Sequence, residues 1–264
     1  MEEMTQTQLQ FFTNVSHELR TPLTLIAGPA EQLLEDPTIK GGQRSMLEMV
    51  QRNTRILIQL VGEILDFRKV QNNKAERHLN RFYLQQELTT WTEDFRTVAA
   101  RRGITIHVDV SGVENDAMLI ADRNKMEHVY FNIMSNALKY TPEKGSISIS
   151  LAHSNNKYTL RITDTGKGIP AEELPHLFER FYQAKGAIGG TGIGLSLVKA
   201  YIDMHHGDVH AESEDGKGTT FVIKLPDSQP GYDPAKDAPA ATQAEKGLVD
   251  DNYIATDSTP KENS

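Results

Sequence analysis

The sequence predicts an α+β protein with two parts. The first is a two-helix hairpin that dimerises into a four-helix bundle, and the second is an α/β sandwich in which a mixed sheet carries helices on one face. Residues 12–33 and 46–67 each carry an apolar stripe that repeats every three or four residues, as in packed bundle helices. Beyond residue 80, strand-like alternating segments are interspersed with helical ones, which is typical of layered α and β structure.

The hairpin is expected over residues 1–75. Its first stripe comprises Phe12, Ser16, Leu19, Leu23, Ile26, Ala30 and Leu33, and its second comprises Met46, Val50, Asn53, Leu57, Leu60, Ile64 and Phe67. Residues 36–42 hold a proline and two glycines, which indicate a turn. Because one hairpin leaves part of each stripe uncovered, we expect a homodimer; one antiparallel pair packed on its own downstream domain is the alternative. Asn53 is polar and is expected to fix the register of the seam.

A second domain is expected over residues 76–226, after a polar linker near 71–80. The predicted helices are 84–102, 122–140 and 194–205, and the predicted strands are 104–110, 118–121, 146–152, 158–163, 209–214 and 219–225. Residues 227–264 are rich in Asp, Pro, Ala, Ser, Thr and Lys and show no apolar period. They are expected to form a disordered tail or linker.

Composition excludes several kinds of site. The chain has 264 residues and no cysteine, so disulfides, thiolate metal sites and cysteine nucleophiles are ruled out. Its formal net charge of −8 argues against direct nucleic-acid binding. No apolar run approaches the roughly 20 residues that cross a bilayer, so we expect no membrane contact by this segment.

One histidine lies beside the first apolar stripe. His17 is one position away from Ser16, so on a helix its imidazole would reach water at the edge of the packed seam. Pro22 cannot donate to the carbonyl of Glu18, so the helix is expected to kink there. A surface histidine on a bundle helix is the alternative interpretation of this segment alone.

Three segments of the second domain suit a nucleotide. In the first, Asn132, Asn136, Lys139 and Tyr140 share one face of a helix. An amide oxygen at Asn136 can ligate Mg²⁺, Lys139 can pair with a phosphate, and the Tyr140 ring can line a base pocket. A solvated helix face is the alternative.

The other two segments are rich in glycine. Asp164, Gly166 and Gly168 directly follow an apolar strand. A carboxylate there can accept a hydrogen bond from an exocyclic amine, and glycines let the backbone approach a ligand closely. The segment Gly189–Leu195 opens a helix and directs unpaired N–H groups towards an anion. Taken singly, each segment is weak evidence.

The segment FFTNVSHELRTPLT resembles the phosphoacceptor box of sensor histidine kinases. The resemblance implies that neutral His17 attacks the terminal phosphate of ATP through Nε2. It also implies that Glu18 orients the imidazole through Nδ1 and stabilises the positive charge that develops on it, a general-base role. Thr21 matches the position that helps to orient water when the phosphorylated partner is dephosphorylated, so phosphatase activity is a further expectation.

Four segments, in this order, resemble the ATP-binding domain of histidine kinases in the GHKL superfamily (gyrase, histidine kinase, mismatch-repair and heat-shock ATPases). They correspond to the N-box at 132–140, the first glycine box at 164–168, the F-box at 177–182 and the second glycine box at 190–194. The lid between the last two boxes, residues 183–188, is shorter than usual. It lacks the Ser/Arg-rich stretch that the family often has there.

The same resemblance implies roles for individual residues. Asp164 would contact the adenine amine, Asn136 would hold Mg²⁺, and Lys139 and Arg180 would meet phosphate. The nucleotide-binding residues that it implies are Asn132, Asn136, Lys139, Tyr140, Asp164, Gly166, Gly168, Arg180, Gly190, Thr191, Gly192, Gly194 and Leu195.

The resemblance covers residues 10–226 and implies ATP-dependent autophosphorylation of His17, followed by transfer to an aspartate of a response-regulator receiver domain. ATP and Mg²⁺ are the implied cofactors, and the receiver belongs to a separate protein or, as in hybrid sensors, to the same polypeptide. The implied location is the cytoplasmic part of a membrane-anchored sensor. A GHKL-type ATPase clamp is an alternative, but such enzymes commonly carry a glutamate where this chain has Asn132. A non-enzymatic dimeric scaffold is another, although each matched motif retains its functional residue types.

Overall fold

The structure is a computed structural model that describes residues 19, 23–36, 38–71, 77–114, 116–184 and 192–234. The chain divides into two compact units, Met1–Ala75 and Glu76–Ser264. The predicted fold class is confirmed, with a helical first unit and a second unit that combines helices with a mixed sheet. Within the described ranges, no helix has the length and hydropathy needed to span a bilayer.

Two helices form the described part of the first unit. Helix α1 covers residues 23–35, and α2 is Gly42–Gln71. In the turn between them, the Asp36 carboxylate accepts hydrogen bonds from the backbone N (2.8 Å) and hydroxyl (2.7 Å) of Thr38, and both bonds lower the pKa of Asp36. Arg44 Nη1 donates to the carbonyl of Leu34 at 3.0 Å. A side chain of α2 therefore satisfies a carbonyl at the end of α1.

Large apolar side chains of this unit remain exposed within the single chain. The exposed ones among the described residues are Leu19, Leu25, Ile26, Leu33, Met46, Met49, Val50 and Leu57. Asn53 is also exposed, and its Nδ2 donates back to the Met49 carbonyl at 2.8 Å. Phe12 and Ser16 lie outside the described residues. The described stripe is therefore mostly uncovered, as the sequence predicts for one hairpin alone.

The second unit contains three α-helices and seven strands within its described residues. The helices are α3 (Leu84–Arg101), α4 (Arg123–Tyr140) and α5 (Gly194–Met204). The strands are β1 (Asn80–Phe82), β2 (Thr105–Gly112), β3 (Leu119–Ala121), β4 (Ser146–Ser154), β5 (Lys157–Asp164), β6 (Asp208–Ser213) and β7 (Thr219–Pro226). Each predicted helix and strand of this unit is present, with ends shifted by at most two residues.

The main sheet has the order β2-β4-β5-β7-β6, in which only the β2–β4 pair is parallel. Buried side chains alternate along the central strands and pack against helices α3, α4 and α5. They include Ile147, Ile149, Leu151, Tyr158, Leu160, Ile162, Phe221, Ile223 and Leu225 from strands, and Leu88, Trp91, Phe95, Ile133, Leu138, Leu197 and Ile202 from helices. The short strands β1 and β3 form a separate antiparallel pair.

Two features lie outside the predicted elements. Strand β1 starts at Asn80, the last residue of the predicted linker, because three residues are too few to show a strand period. A 3₁₀ turn at Leu174–His176 likewise has no apolar period of its own.

Residues 227–230, assigned from the sequence to the tail, hydrogen-bond to the folded unit: the carbonyl of Asp227 accepts from the Ile120 N–H at 2.9 Å, and Gln229 Nε2 donates to the His205 carbonyl at 2.7 Å.

A buried polar cluster joins the first and last segments of this unit. Asp122, the residue before α4, accepts through Oδ1 from Lys125 N (3.2 Å) and through Oδ2 from His78 N (3.0 Å). Its own N–H donates to Nε2 of the fully buried His205 at 3.0 Å, while Nδ1 of His205 donates to the Tyr201 carbonyl at 2.7 Å. These partners require a neutral imidazole with its proton on Nδ1, and burial lowers the pKa of His205.

Arg77 connects this cluster to the end of α5 and to the segment that follows β7. Its Nη1 donates to the carbonyl of Met204, the last residue of α5, at 3.2 Å, and its Nη2 donates to the Pro230 carbonyl at 3.4 Å. A guanidinium at a helix C-terminus also interacts favourably with the helix dipole. The segment that leads into the unit is therefore bonded to the segment that leaves it.

The lowered pKa of His205 predicts a pH-dependent stability. Below the ordinary histidine pKa of 6.5, the unfolded chain binds a proton that the folded chain excludes, so the free energy of unfolding should fall as the pH falls. Glutamine at this position can accept the Asp122 N–H bond without titrating. Between pH 7.5 and 5.5, we expect the free energy of unfolding to fall less in His205→Gln than in wild type. Urea unfolding measures it through the fluorescence of Trp91, the only tryptophan. The exposed His107→Gln serves as the control, and an equal pH dependence in wild type and His205→Gln would contradict the prediction.

Candidate functional site

The carboxyl-terminal half of α4 forms the centre of the candidate site. Asn132 is buried, and its Nδ2 donates to the His128 carbonyl one turn earlier at 2.9 Å. Asn136, Lys139 and Tyr140 follow on the same helix and are half-buried. The helix thus carries two amides, a cation and an aromatic ring between Asn132 and its last residue, Tyr140.

Asp164 ends β5 and supplies a buried carboxylate. Its side chain accepts through Oδ1 from the backbone N–H of Gly166 at 2.8 Å and of Thr219 at 3.3 Å. No described residue donates to Oδ2, so that oxygen can accept a hydrogen bond from a ligand. Burial raises the pKa of Asp164, and the two N–H bonds partly oppose the increase. A ligand amine would bind the ionised form, so the raised pKa of Asp164 means that acid weakens such binding at a higher pH than it would for an ordinary aspartate.

Glycines bring the first glycine box against α4. A methyl group on Gly166 would lie 2.6 Å from Asp164 Oδ1 and 2.8 Å from the Tyr140 carbonyl oxygen. At Gly168 the backbone has φ of +73°, and a methyl group would lie 2.0 Å from the Glu214 carbonyl oxygen. All three distances are shorter than a Cβ atom tolerates, so both positions require glycine.

The second glycine box contacts α4 from another side. A methyl group on Gly194, the first residue of α5, would lie 2.5 Å from Asn132 Oδ1. Gly192 has φ of +69° and fits against the backbone of Phe181, whose N–H donates to the Gly192 carbonyl at 2.8 Å. The F-box and the second glycine box are therefore bonded to each other through Phe181 and Gly192.

The structure brings together most of the sequence-predicted site residues that it describes. Asn132 lies against Gly194, Tyr140 against Gly166, and Gly192 against Phe181. Asn136 and Lys139 lie on α4 between these contacts. The remaining predicted residues fall in two groups. Arg180, next to Phe181, is exposed and Leu195, in the first turn of α5, is half-buried, whereas His17, Glu18, Thr21, Gly190 and Thr191 lie outside the described residues.

Two residues of the site were missed from the sequence. The backbone N–H of Thr219 reaches Asp164 from β7, and a main-chain donor from a distant strand leaves no signal in side-chain identity. Lys167 lies inside the first glycine box, and its Nζ is 5.3 Å from the centre of the Tyr140 ring. Lys139 Nζ is 5.0 Å from the same ring centre. Burial lowers the pKa of Lys139, and the nearby charge of Lys167 lowers it further.

The donor set fits Mg²⁺ only as an ion shared with phosphates. The described residues contain no group of three or more His, Cys, Asp or Glu side chains arranged around a common point. Mg²⁺ is usually held by one or two protein oxygens together with substrate phosphates and water. The half-buried amide of Asn136, on the same helix as Lys139, suits that mode of binding.

The glycine contacts predict a specific loss of stability. Gly168 and Gly216 both have positive φ, +73° and +78°, but a methyl group on Gly216 would meet nothing within 4 Å. We expect Gly216→Ala to cost roughly 1–2 kcal/mol through backbone strain alone. Gly168→Ala should cost more, because the Glu214 carbonyl must also move. Urea unfolding of both variants, followed by Trp91 fluorescence, measures the difference; equal free energies of unfolding would contradict the close packing of this loop.

Two families match consecutive parts of the chain. The family described as "His Kinase A (phospho-acceptor) domain" matches residues 7–73. The family described as "Histidine kinase-, DNA gyrase B-, and HSP90-like ATPase" matches residues 121–229. The second match contains α4, both glycine boxes and the F-box, which meet in the geometry above.

Individual relatives agree with this assignment. The chain is 35% identical over 235 residues to "Hybrid signal transduction histidine kinase D" of Dictyostelium discoideum, covering 86% of this chain and 15% of that protein. It is 30% identical over 234 residues to "Autoinducer 2 sensor kinase/phosphatase LuxQ" of Vibrio parahaemolyticus, covering 85% of this chain and 27% of that protein. The chain therefore spans less than a third of the length of either relative.

A solved structure shares the fold. The crystal structure of full-length ShkA in complex with AMPPNP matches with a TM-score of 0.72 and 27% sequence identity, covering 83% of this chain and 46% of that one. Both family matches, the relatives and the shared fold agree with the motifs and their convergence on α4. The chain accordingly belongs to the sensor histidine kinases and carries the phospho-acceptor and ATPase-type parts of their core.

Proposed function

We propose that this chain catalyses ATP-dependent phosphorylation of its own His17 and passes the phosphoryl group to an aspartate of a response-regulator receiver domain. The observation that carries the proposal is that Gly166 of the first glycine box and Gly194 of the second both lie against α4, at Tyr140 and Asn132, with the buried carboxylate of Asp164 beside Gly166. The chain that builds this site also carries the phospho-acceptor sequence around His17.

The proposed chemistry is a phosphoryl transfer to nitrogen. Neutral His17 attacks the γ-phosphorus through Nε2, an N–P bond forms, and the bond from the γ-phosphorus to the β–γ bridging oxygen breaks as ADP leaves. Glu18 orients the ring through Nδ1 and stabilises the positive charge on the imidazole. In the second step the phosphoryl group moves from nitrogen to a carboxylate oxygen of the receiver aspartate.

The nucleotide site would divide its tasks among the residues around α4. Asp164 Oδ2 would accept from the adenine amine, and the Tyr140 ring would line the base pocket. Lys139 and Arg180 would contact phosphates, and Asn136 would hold Mg²⁺, which neutralises phosphate charge when bound. Glycines at 166, 168, 190, 192 and 194, together with Asn132, Thr191 and Leu195, would shape the surface that the nucleotide approaches.

Partners and boundaries form part of the same proposal. A homodimer would bury the exposed stripe of residues 1–75, and the ATP-binding domain would occupy residues 76–226 with the bonded segment to 230. The remaining residues would form a tail or linker. A receiver in the same polypeptide is supported by the hybrid relative, and phosphatase activity through Thr21 by the name of the Vibrio relative. The proposed location is the cytoplasmic part of a membrane-anchored sensor.

A water-attacking ATPase has less support. Such an enzyme needs a carboxylate to activate water, and the N-box offers Asn132, whose Nδ2 donates to the His128 carbonyl and whose Oδ1 lies close to Gly194. Residues 7–73 match the phospho-acceptor family, and an ATPase clamp would give these residues no role. A scaffold without activity would not require the close glycine contacts that shape the candidate nucleotide site.

The reaction is tested with γ-labelled ATP and two variants that should fail for different reasons. His17→Gln removes the nucleophile, so it should form no phosphoprotein yet bind ATP with nearly unchanged affinity. Asp164→Ala should also form none, because nucleotide binding itself is lost. Wild-type label should be acid-labile and base-stable, as for a phosphoramidate. Label that persists in His17→Gln, or that survives acid, would refute His17 as the acceptor.

The dimer is tested at Leu57, which is 46% exposed in the single chain. Each leucine-sized side chain buried in a dimer contributes roughly 1.5–3 kcal/mol, so several of them can exceed the roughly 4–15 kcal/mol cost of association. Leu57→Asp places a charge in the predicted seam and should dissociate the dimer. Glu48→Lys, an exposed charge change off the stripe, should leave it intact. Sedimentation equilibrium of the full chain decides between these outcomes, and a wild-type monomer at tens of micromolar would refute the dimer.

A further inference from the structure

Lys167 has a fixed backbone position at the candidate site. It lies between Gly166, whose N–H donates to Asp164, and Gly168, which packs against the Glu214 carbonyl. The Lys167 carbonyl accepts a hydrogen bond from the Gly216 N–H at 2.6 Å. These contacts therefore fix the backbone of Lys167, which is three residues after Asp164 in the sequence.

The Lys167 ammonium group shares an aromatic ring with a second cation. Lys167 reaches the Tyr140 ring from the loop after β5, and Lys139 reaches it from the end of α4, with distances to the ring centre of 5.3 and 5.0 Å. Each contact is a cation–π interaction, but the two like charges repel each other, which contributes to the lowered pKa of Lys139. A bound anion would interact favourably with both groups and offset their repulsion.

We propose that Lys167 is a second phosphate-binding lysine, which acts together with Lys139 on the phosphate chain of the nucleotide. This inference rests on the proposed function, because it takes ATP as the anion. Tyr140 connects the buried carboxylate to the two lysines: its carbonyl lies against Gly166, beside Asp164, and the centre of its ring lies 5.0 Å from Lys139 Nζ and 5.3 Å from Lys167 Nζ. A nucleotide with adenine at Asp164 and phosphates at the lysines matches this order of groups.

A purely structural role makes a different prediction. Lysines near a helix C-terminus stabilise the helix dipole, and Lys167 covers a tyrosine ring at the end of α4. If that is its whole contribution, removing its charge changes the stability of the unit and leaves the affinity for every nucleotide unchanged. Binding and unfolding measurements on the same variant therefore separate the two roles.

The test measures dissociation constants of the full chain for ATP and ADP with Mg²⁺ by calorimetry, and for adenosine by competition. We expect Lys167→Gln to weaken ATP roughly three- to fivefold, the effect of one solvent-screened charge contact. ADP should weaken by less, and adenosine should not change. Lys167→Arg should bind like wild type. Lys217→Gln is the matched control, because Lys217 is an exposed lysine on the β6–β7 turn that pairs with Glu214 at 2.6 Å.

Each outcome distinguishes this inference from the proposed function. Wild type that binds no ATP would overturn the proposed function and the inference with it. Wild type that binds ATP while Lys167→Gln binds it equally well would overturn the inference alone, as would equal weakening of adenosine, which carries no phosphate. If Lys217→Gln weakens ATP binding as much as Lys167→Gln does, the effect comes from the net charge of the chain, and this result would also overturn the inference. An ATP effect that diminishes from 50 to 500 mM salt, as expected for a charge contact, supports it.

Discussion

The buried carboxylate of Asp164 is the interaction on which the second unit's site depends. Through one oxygen it holds the loop after β5, by the Gly166 N–H, and strand β7, by the Thr219 N–H. The chain closes so tightly around it that a methyl group on Gly218 would lie 2.0 Å from the Asp164 carbonyl oxygen. An acid at this depth is costly without such donors. Both of these bonds go to Oδ1, so no described residue donates to Oδ2.

Helices α4 and α5 connect this site to the other end of the unit. Near the site, the start of α5 lies against Asn132 of α4. At the far end, the N–H of Asp122, which precedes α4, bonds to His205, which follows α5. The two helices therefore run in opposite directions, with glycine packing at one end and a polar cluster at the other. Arg77 and His78, in the segment that leads into the unit, bond directly to that cluster, so the first segment of the unit is attached to the ends of both helices that flank the candidate site.

Much of this could be predicted from the sequence, because the signals were local. Alternating residues identified the main strands, apolar spacing identified the helices, and the order of the motifs predicted the candidate site. What could not be predicted depends on residues distant in the chain. The Thr219 N–H carries no side-chain signature, and the Arg77 bonds to Met204 and Pro230 span more than 120 residues. Lys167 was visible within its motif, but its position over the Tyr140 ring follows only once the loop and the helix are folded together.

The two units differ in how complete they are as single chains. The second unit has a closed core: Trp91, Phe95 and Leu197 are at most 2% exposed, and the Asp164 carboxylate of the candidate site is held by bonds within the unit. The described part of the first unit instead leaves eight large apolar side chains exposed. This is more than the few scattered apolar residues that an ordinary protein surface carries. Covering that stripe needs another surface, whereas the contacts around Asp164 need none. If the proposed dimer forms, the affinity for ATP should therefore depend little on the association of two chains.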